Sequence, residues 1–196
     1  MTETESYINR YAKDMIDASQ GTGLFPSVMM AQGILESGNG KSQLAAKYNN
    51  HFGIKCQCRA CPCFLLGQYV ELPTKEEVNG RVITITDKFR SYKNTYDSFV
   101  DRISFLKENT RYKNAGVFSA RTPQEQTAAL QKAGYATASS YSNQLNQLIS
   151  RYNLERLDKI KAERRLTSNQ TNYAIVGGII ILLTGYVYYL KRKKVI

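Results

Sequence analysis

At 196 residues the chain is long enough for one domain with its own hydrophobic core plus a tail, and too short to hold two independent domains comfortably. With 27 Lys and Arg against 16 Asp and Glu the formal charge is +11, and Lys191, Arg192, Lys193 and Lys194 in the last six residues carry four of those charges, leaving +7 on the rest. A basic body fits an anionic partner such as a lipid surface, an acidic wall polymer or a nucleic acid; with no arginine-glycine tract, zinc-finger spacing or RNA-binding sheet motif, nucleic acid is set aside.

The chain opens on "MTETESYINRYAKDMIDAS", which has no apolar stretch of signal-peptide length and does not read as a cleaved export signal. Tyr7, Ile8, Tyr11, Met15, Ile16 and Ala18 keep helical spacing over residues 3–20, and "GTGLFP" then breaks the pattern. Ser27 is expected to cap a second helix with Val28, Met29, Ile34 and Leu35 facing the core, which Gly38 and Gly40 end just after Glu36. "KSQLAAKY" reads as a further short helix or turn.

Between Phe52 and Tyr92 the pattern becomes β-like, with "FLLGQYVEL" and the alternating "GRVITITDKFRSY" joined across the hairpin pair Asn79-Gly80. Helical spacing returns in "TYDSFVDRISFLKEN", with Thr95 or Asp97 near its cap and Tyr96, Phe99, Val100, Ile103 and Leu106 on one face. A Thr-Pro start opens "TPQEQTAALQKA", which stops at Gly134, and "SSYSNQLNQLISRYNLERLDKI" is a last amphipathic helix. The expected class is α+β, mainly α: a helical lobe, a small β-hairpin lobe and a single C-terminal transmembrane helix.

That last element rests on "AIVGGIIILLTGYVYYL", 17 uncharged residues from Ala174 to Leu190. As a helix it would span roughly 26 Å, slightly short of a hydrocarbon core of about 30 Å. Tyr173, Tyr186, Tyr188 and Tyr189 suit the two interfaces, and the basic block after them suits headgroups. A buried C-terminal helix is the alternative. The expected boundaries are a domain at 1–157, a polar basic linker at 158–172, a membrane span at 173–190 and a basic tail at 191–196. Basic residues flank the span on both sides, so the side of the membrane on which the domain lies stays open.

Glu36 carries the chemistry. A carboxyl at the C-terminal end of an apolar helix is partly desolvated and close to the negative end of the helix dipole. Both effects disfavour the anion and suit a general acid at neutral pH, although an ordinary exposed glutamate would have the same spacing. Glycoside chemistry needs a second carboxylate across a sugar-sized gap. Glu76 and Glu77, just before the Asn79-Gly80 turn, are placed for it on a hairpin overhanging a cleft, with Glu71 and Asp87 as weaker candidates.

Separated segments, "FPSVMMAQGILESGNGKSQLAAKYNNHFGIK", "TKEEVNG", "KFRSY", "SFVDRISFLKENTRYKNA" and "AGYATASSYSNQL", resemble the peptidoglycan β-N-acetylglucosaminidases of glycoside hydrolase family 73 from about residue 5 to residue 153. The resemblance implies a lysozyme-like fold and cleavage of the N-acetylglucosaminyl-β-1,4-N-acetylmuramic acid bond of bacterial cell wall. It implies that Glu36 is the catalytic acid and Glu76 the β-lobe glutamate, serving as base or stabiliser, with Tyr135 an active-site tyrosine. It places Tyr141 on the second tyrosine of that segment, and Phe52 and Gly53 beside Glu36. Asn39 stands where many members have tryptophan and is expected to touch substrate, and Ala138-Ser139 replace a usual Asp-Pro. The partners implied are bacterial peptidoglycan and, through the C-terminal helix, a lipid membrane; no cofactor is expected.

His51, the lone histidine, is read as a packing or surface residue rather than a catalytic one. Cys56, Cys58, Cys61 and Cys63 crowd four thiols into eight residues, a spacing that would strain a tetrahedral metal site. Disulfides pinning the start of the β lobe and reduced cysteines of no chemical role are the other two readings.

Overall fold

A computed structural model describes residues 1–56, 68–78 and 81–167, leaving aside the side chains of 75–78 and 82 within the hairpin. Cys58, Cys61, Cys63, the Asn79-Gly80 pair and the expected membrane span lie outside the described residues. Among the described residues no helix is long and apolar enough to cross a membrane. The chain divides after Asp158 into two compact units, Met1–Asp158 and Lys159–Ile196. Of the second, residues 159–167 are described and are helical.

Helix α1 (Glu3–Ala18) starts on a capping box: Thr2 Oγ1 accepts from the Glu5 amide at 3.2 Å while Glu5 Oε2 accepts from the Thr2 amide at 2.7 Å. It buries Tyr7, Ile8, Met15 and Ile16, four of the residues whose spacing predicts it. Helix α2 (Pro26–Ser37) is the centre of the unit, packed against α1 and two later helices. Nine consecutive residues, Pro26 to Ile34, are buried, as befits a helix apolar on nearly every side.

Two expectations about α2 are corrected. Its N-cap is Phe25 with Pro26 in the first turn; Ser27 lies inside the helix and gives its amide to Asp158 Oδ1 at 2.9 Å. Leu35 is exposed rather than core-facing, because the helix meets neighbours on the Gln32 and Ile34 sides but not there. Gly38 ends the helix as expected, in the left-handed conformation with its amide bonded to Ile34 O. Gly33 answers to a close approach: a Cβ there would lie 2.6 Å from the Tyr7 hydroxyl.

Helix α3 (Gln43–Tyr48) is capped by Ser42, and strands β1 (Tyr69–Val78) and β2 (Arg81–Arg90) form an antiparallel hairpin whose register, closing at Val78 opposite Arg81, leaves two residues for the turn. The hairpin base is tied to the segment after α3. Cys56 and Arg90 amides donate to Lys88 O and Ile54 O at 2.7 and 2.9 Å. The buried Asn50 amide side chain bonds Ile54 and Arg90 together. Away from this base Ile83, Thr84, Ile85 and Thr86 are all exposed, so the β alternation marks pleat rather than a buried face.

Helix α4 (Thr95–Glu108) is capped by Asn94, not by Thr95 or Asp97; Asn94 Oδ1 accepts the Asp97 amide at 3.0 Å. A short α5 (Thr110–Asn114), not anticipated, precedes α6 (Pro123–Lys132), which Thr122 caps with proline in the first turn. Helix α7 (Tyr141–Arg151) packs on α6 and α2, burying Tyr141, Leu145 and Ile149. Cys56 is disulfide-bonded, as in the disulfide reading, and so has no thiolate of its own to give a metal.

Candidate active site

Gln32 and Glu36 lie one turn apart on α2 and therefore share a face. Against that face come Arg102 from α4 and Tyr141, the first residue of α7. The Tyr141 hydroxyl donates to Glu36 Oε1 at 2.8 Å and accepts from Gln32 Nε2 at 2.7 Å. Gln32 Oε1 in turn accepts from Arg102 Nε at 2.9 Å and from Arg102 Nη2. Arg102, Gln32 and Tyr141 are buried, whereas Glu36 is solvent-accessible at the open end of the chain of hydrogen bonds.

Tyr135 stacks on Tyr141, with ring centroids 5.7 Å apart and planes 19° from parallel. Tyr112 lies beneath Tyr135 at 6.1 Å. Tyr135 is held by the turn that closes α6, where Gly134 takes a positive φ and the Tyr135 amide returns to Leu130 O at 3.0 Å. The result is a tyrosine-walled site with one carboxylate at its surface and one guanidinium in its floor.

The Glu36 carboxyl is raised above the usual glutamate range, chiefly because surrounding protein removes water from it; the Tyr141 hydrogen bond and the Arg102 charge pull the other way. A side chain can be open to solvent on one side and still be desolvated by protein packed round the rest, so accessibility and raised pKa agree. Burial likewise pushes both Tyr135 and Tyr141 well above the ordinary tyrosine value, so each keeps its hydroxyl proton. An accessible carboxyl that stays protonated further up the pH scale, braced by phenols that do not ionise, can deliver a proton to a bound oxygen.

The residues expected here divide. Glu36, Tyr135 and Tyr141 come together. Glu76 sits on β1 opposite Ile83, in the outer half of the hairpin, and its side chain lies outside the described part of the protein. Phe52 is buried, not open to substrate: its ring packs under the Arg102 guanidinium at 5.4 Å and edge-on to Phe99. Asn39, in a left-handed turn, shares no hydrogen bond with the Glu36 group; it borders a cavity of about 420 Å³ together with Ser6, Tyr7, Arg10 and Tyr11 of α1. Arg102 and Gln32 are not among the residues expected: the face read for α4 runs through Tyr96 and Val100, which are exposed, whereas the buried face of Phe99, Ile103 and Leu106 takes in Arg102, and Gln32 is one polar residue in an apolar run.

His51 is a packing residue, as its isolation suggests. It is buried among Tyr7, Tyr11 and Phe99, its Nδ1 lies 2.8 Å from the Tyr7 hydroxyl, and burial lowers its pKa to about 4. On the hairpin side, Arg90 Nη1 meets both oxygens of Asp101 at 2.6 and 2.8 Å, and Tyr92 donates to Asp101 Oδ2 at 2.6 Å. This pair joins the end of β2 to α4, the helix that carries Arg102.

A sequence model of the glucosaminidase family, described as mannosyl-glycoprotein endo-beta-N-acetylglucosaminidase, matches residues 12–154. The chain belongs to this family. Among curated relatives, this glucosaminidase-family chain is 39% identical over 161 residues to a probable N-acetylmuramidase of Lactococcus lactis subsp. cremoris, covering 79% of its own length and 35% of the relative's. It is 34% identical over 140 residues to the exo-glucosaminidase LytG of Bacillus subtilis, covering 70% and 47%. The chain thus spans less than half the length of either.

Among solved structures the glucosaminidase-family chain resembles the catalytic domain of the autolysin Auto of Listeria monocytogenes, with a TM-score of 0.69, 32% identity and coverage of 80% of this chain and 88% of that one. The glycoside hydrolase domain of Salmonella typhimurium FlgJ, C-terminally truncated, matches with a TM-score of 0.59, 29% identity and coverage of 76% and 96%. The mainly helical unit with a two-stranded hairpin is the architecture of these neighbours.

Proposed function

We propose that the chain is a peptidoglycan hydrolase that cleaves the N-acetylglucosaminyl-β-1,4-N-acetylmuramic acid bond with Glu36 as general acid. The observation that carries this reading is the Glu36 carboxyl itself: solvent-accessible, raised in pKa by desolvation, and held on Oε1 by Tyr141. Glu36 protonates the glycosidic oxygen as its bond to the anomeric carbon breaks and positive charge builds on the sugar ring. Glu76 on the hairpin, or the substrate's own acetamido group, stabilises the opposite face until water attacks. Tyr135, half-buried beside Tyr141, offers a phenol to the sugar or its N-acetyl group.

Basic charge on the body favours residence on the anionic wall. Residues 173–190 would tether the domain to a membrane, with basic residues flanking the span on both sides. Protease accessibility of the domain in intact spheroplasts tests the side: protection assigns the domain to the inner face, and digestion to the outer face.

A zymogram on wall material with the full chain and Glu36→Gln tests the chemistry. Clearing by the wild type alone is expected, and equal clearing by both would remove Glu36 from the mechanism. The names of the relatives divide between muramidase and glucosaminidase, so mass analysis of the released reducing ends decides the bond. N-acetylglucosamine ends support the proposal, and muramic or anhydromuramic ends assign the chain to a muramidase or lytic transglycosylase.

A further inference from the structure

Arg102 is wholly buried and makes no salt bridge among the described residues. Its Nε and Nη2 both donate to an uncharged amide, Gln32 Oε1, Tyr135 lies against the same guanidinium, and Nη1 has no hydrogen-bond partner among the described residues. A buried guanidinium so placed is costly and needs a reason beyond packing, since apolar residues fill such space with less penalty. The reason lies in hydrogen-bond direction. Arginine can only donate. Gln32 must therefore turn its oxygen toward Arg102 and its NH2 toward Tyr141, where Nε2 donates to the phenol oxygen at 2.7 Å. With that oxygen accepting, the Tyr141 proton is free to go only outward, to Glu36 Oε1.

Resting on the proposed role of Glu36, we infer that Arg102 is a positioning residue which, through Gln32 and Tyr141, makes Glu36 Oε1 a permanent acceptor and leaves Oε2 to carry the proton for the leaving group. A carboxyl flanked by a neutral hydroxyl of undetermined direction could instead donate its proton inward to Tyr141, turning the acid away from substrate. The donor-only cation at the root of the chain disfavours that arrangement, because Tyr141 would accept from both Gln32 and Glu36 and leave its own buried proton without a partner. Among the described residues Oε2 accepts no hydrogen bond. The charged and titratable groups facing the carboxyl are Arg102 from α4, Tyr141 from α7 and Tyr135 from the turn after α6, with Tyr112 behind Tyr135.

Titration of Glu36 by carboxyl carbon-13 NMR on the full chain tests this without depending on turnover. Tyr141→Phe removes the donor to the anion and is expected to raise the Glu36 midpoint by about one pH unit, the worth of one hydrogen bond to a charged group. Gln32→Glu puts a carboxylate between Arg102 and Tyr141, so the phenol donates to residue 32 instead. In that background Tyr141→Phe is expected to leave the Glu36 midpoint unmoved. An equal shift in both backgrounds would overturn the imposed direction, and no shift from Tyr141→Phe in the wild-type background would do so even if the Gln32→Glu protein fails to fold.

Arg102→Lys keeps a donor-only cation and is expected to preserve the Tyr141→Phe shift; its loss there would also count against the inference. Wall hydrolysis is measured separately on the same proteins. A wild type that shows the titration pattern but no hydrolysis refutes the enzymatic reading and leaves the hydrogen-bond direction standing.

Discussion

The Tyr141 hydroxyl stands 2.8 Å from Glu36 Oε1, although 105 positions of sequence separate the two residues. Helix α7 begins at this tyrosine, and packing of α7 on α2 brings it over the last turn of α2, where the carboxyl emerges. The contact couples the docking of α7 on α2 to the protonation of the proposed acid.

Replacing Glu36 by glutamine should trade activity for stability. Loss of a positioned general acid lowers turnover by about 10²- to 10⁴-fold. The folded pKa is raised above the unfolded one, so the contribution of Glu36 to stability is fully present below about pH 4.5 and is lost as pH rises through the folded value. Glutamine has no charge to desolvate. Its melting temperature relative to wild type should therefore climb between pH 4 and pH 7; a constant difference across that range would contradict the raised pKa.

His51 imposes the opposite slope. With a folded pKa near 4 against 6.5 unfolded, its contribution is present above about pH 6.5 and lost as pH falls toward 4. The cost reaches roughly 3 kcal/mol at the acid end. Urea unfolding at a series of pH values should show this decline in the wild type and a flatter profile in His51→Gln, whatever the absolute stability of that variant. Identical slopes would place the acid lability elsewhere.

Gly33→Ala tests the close approach of α1 to α2. The new Cβ would fall 2.6 Å from the Tyr7 hydroxyl and 3.0 Å from Met15 Cε, and Tyr7 has little freedom to retreat because its hydroxyl is bonded to His51. Overpacking of this kind costs about 1–3 kcal/mol. Thermal unfolding with a drop of that size is expected, and an unchanged or higher melting temperature would show that the helices part without penalty.

Asp101→Asn weakens the link from β2 to α4 by removing the charge that holds Arg90 and accepts from Tyr92. A partly buried, charge-assisted pair of this geometry contributes about 1–3 kcal/mol. Amide exchange at residues 87–90 should accelerate more than exchange in α2. Uniform acceleration across the unit would mean that the pair supports global stability rather than the hairpin base.

Local chemistry alone determines much of this protein. Proline in the first turns of α2 and α6, glycine after α2 and the 3.6-residue spacing of α1 each act within a few residues of chain, so these elements and the position of Glu36 at a helix end are legible in the sequence, whereas the short α5 and the end of α7 at Arg151 are not. Tertiary structure alone decides which polar residues go inside. Arg102 and Gln32 are 70 positions apart, Gln32 and Tyr141 109, and nothing in the spacing of one helix reports what another helix will bring against it. Phe52 is drawn into the core by the same partner, the Arg102 guanidinium, and the exposed isoleucines of the hairpin show the converse, a strand pattern that finds no second layer to bury it. Burial of a charge is tolerable only where distant chain segments supply its hydrogen bonds, and that supply is a property of the assembled helices, not of any stretch of letters.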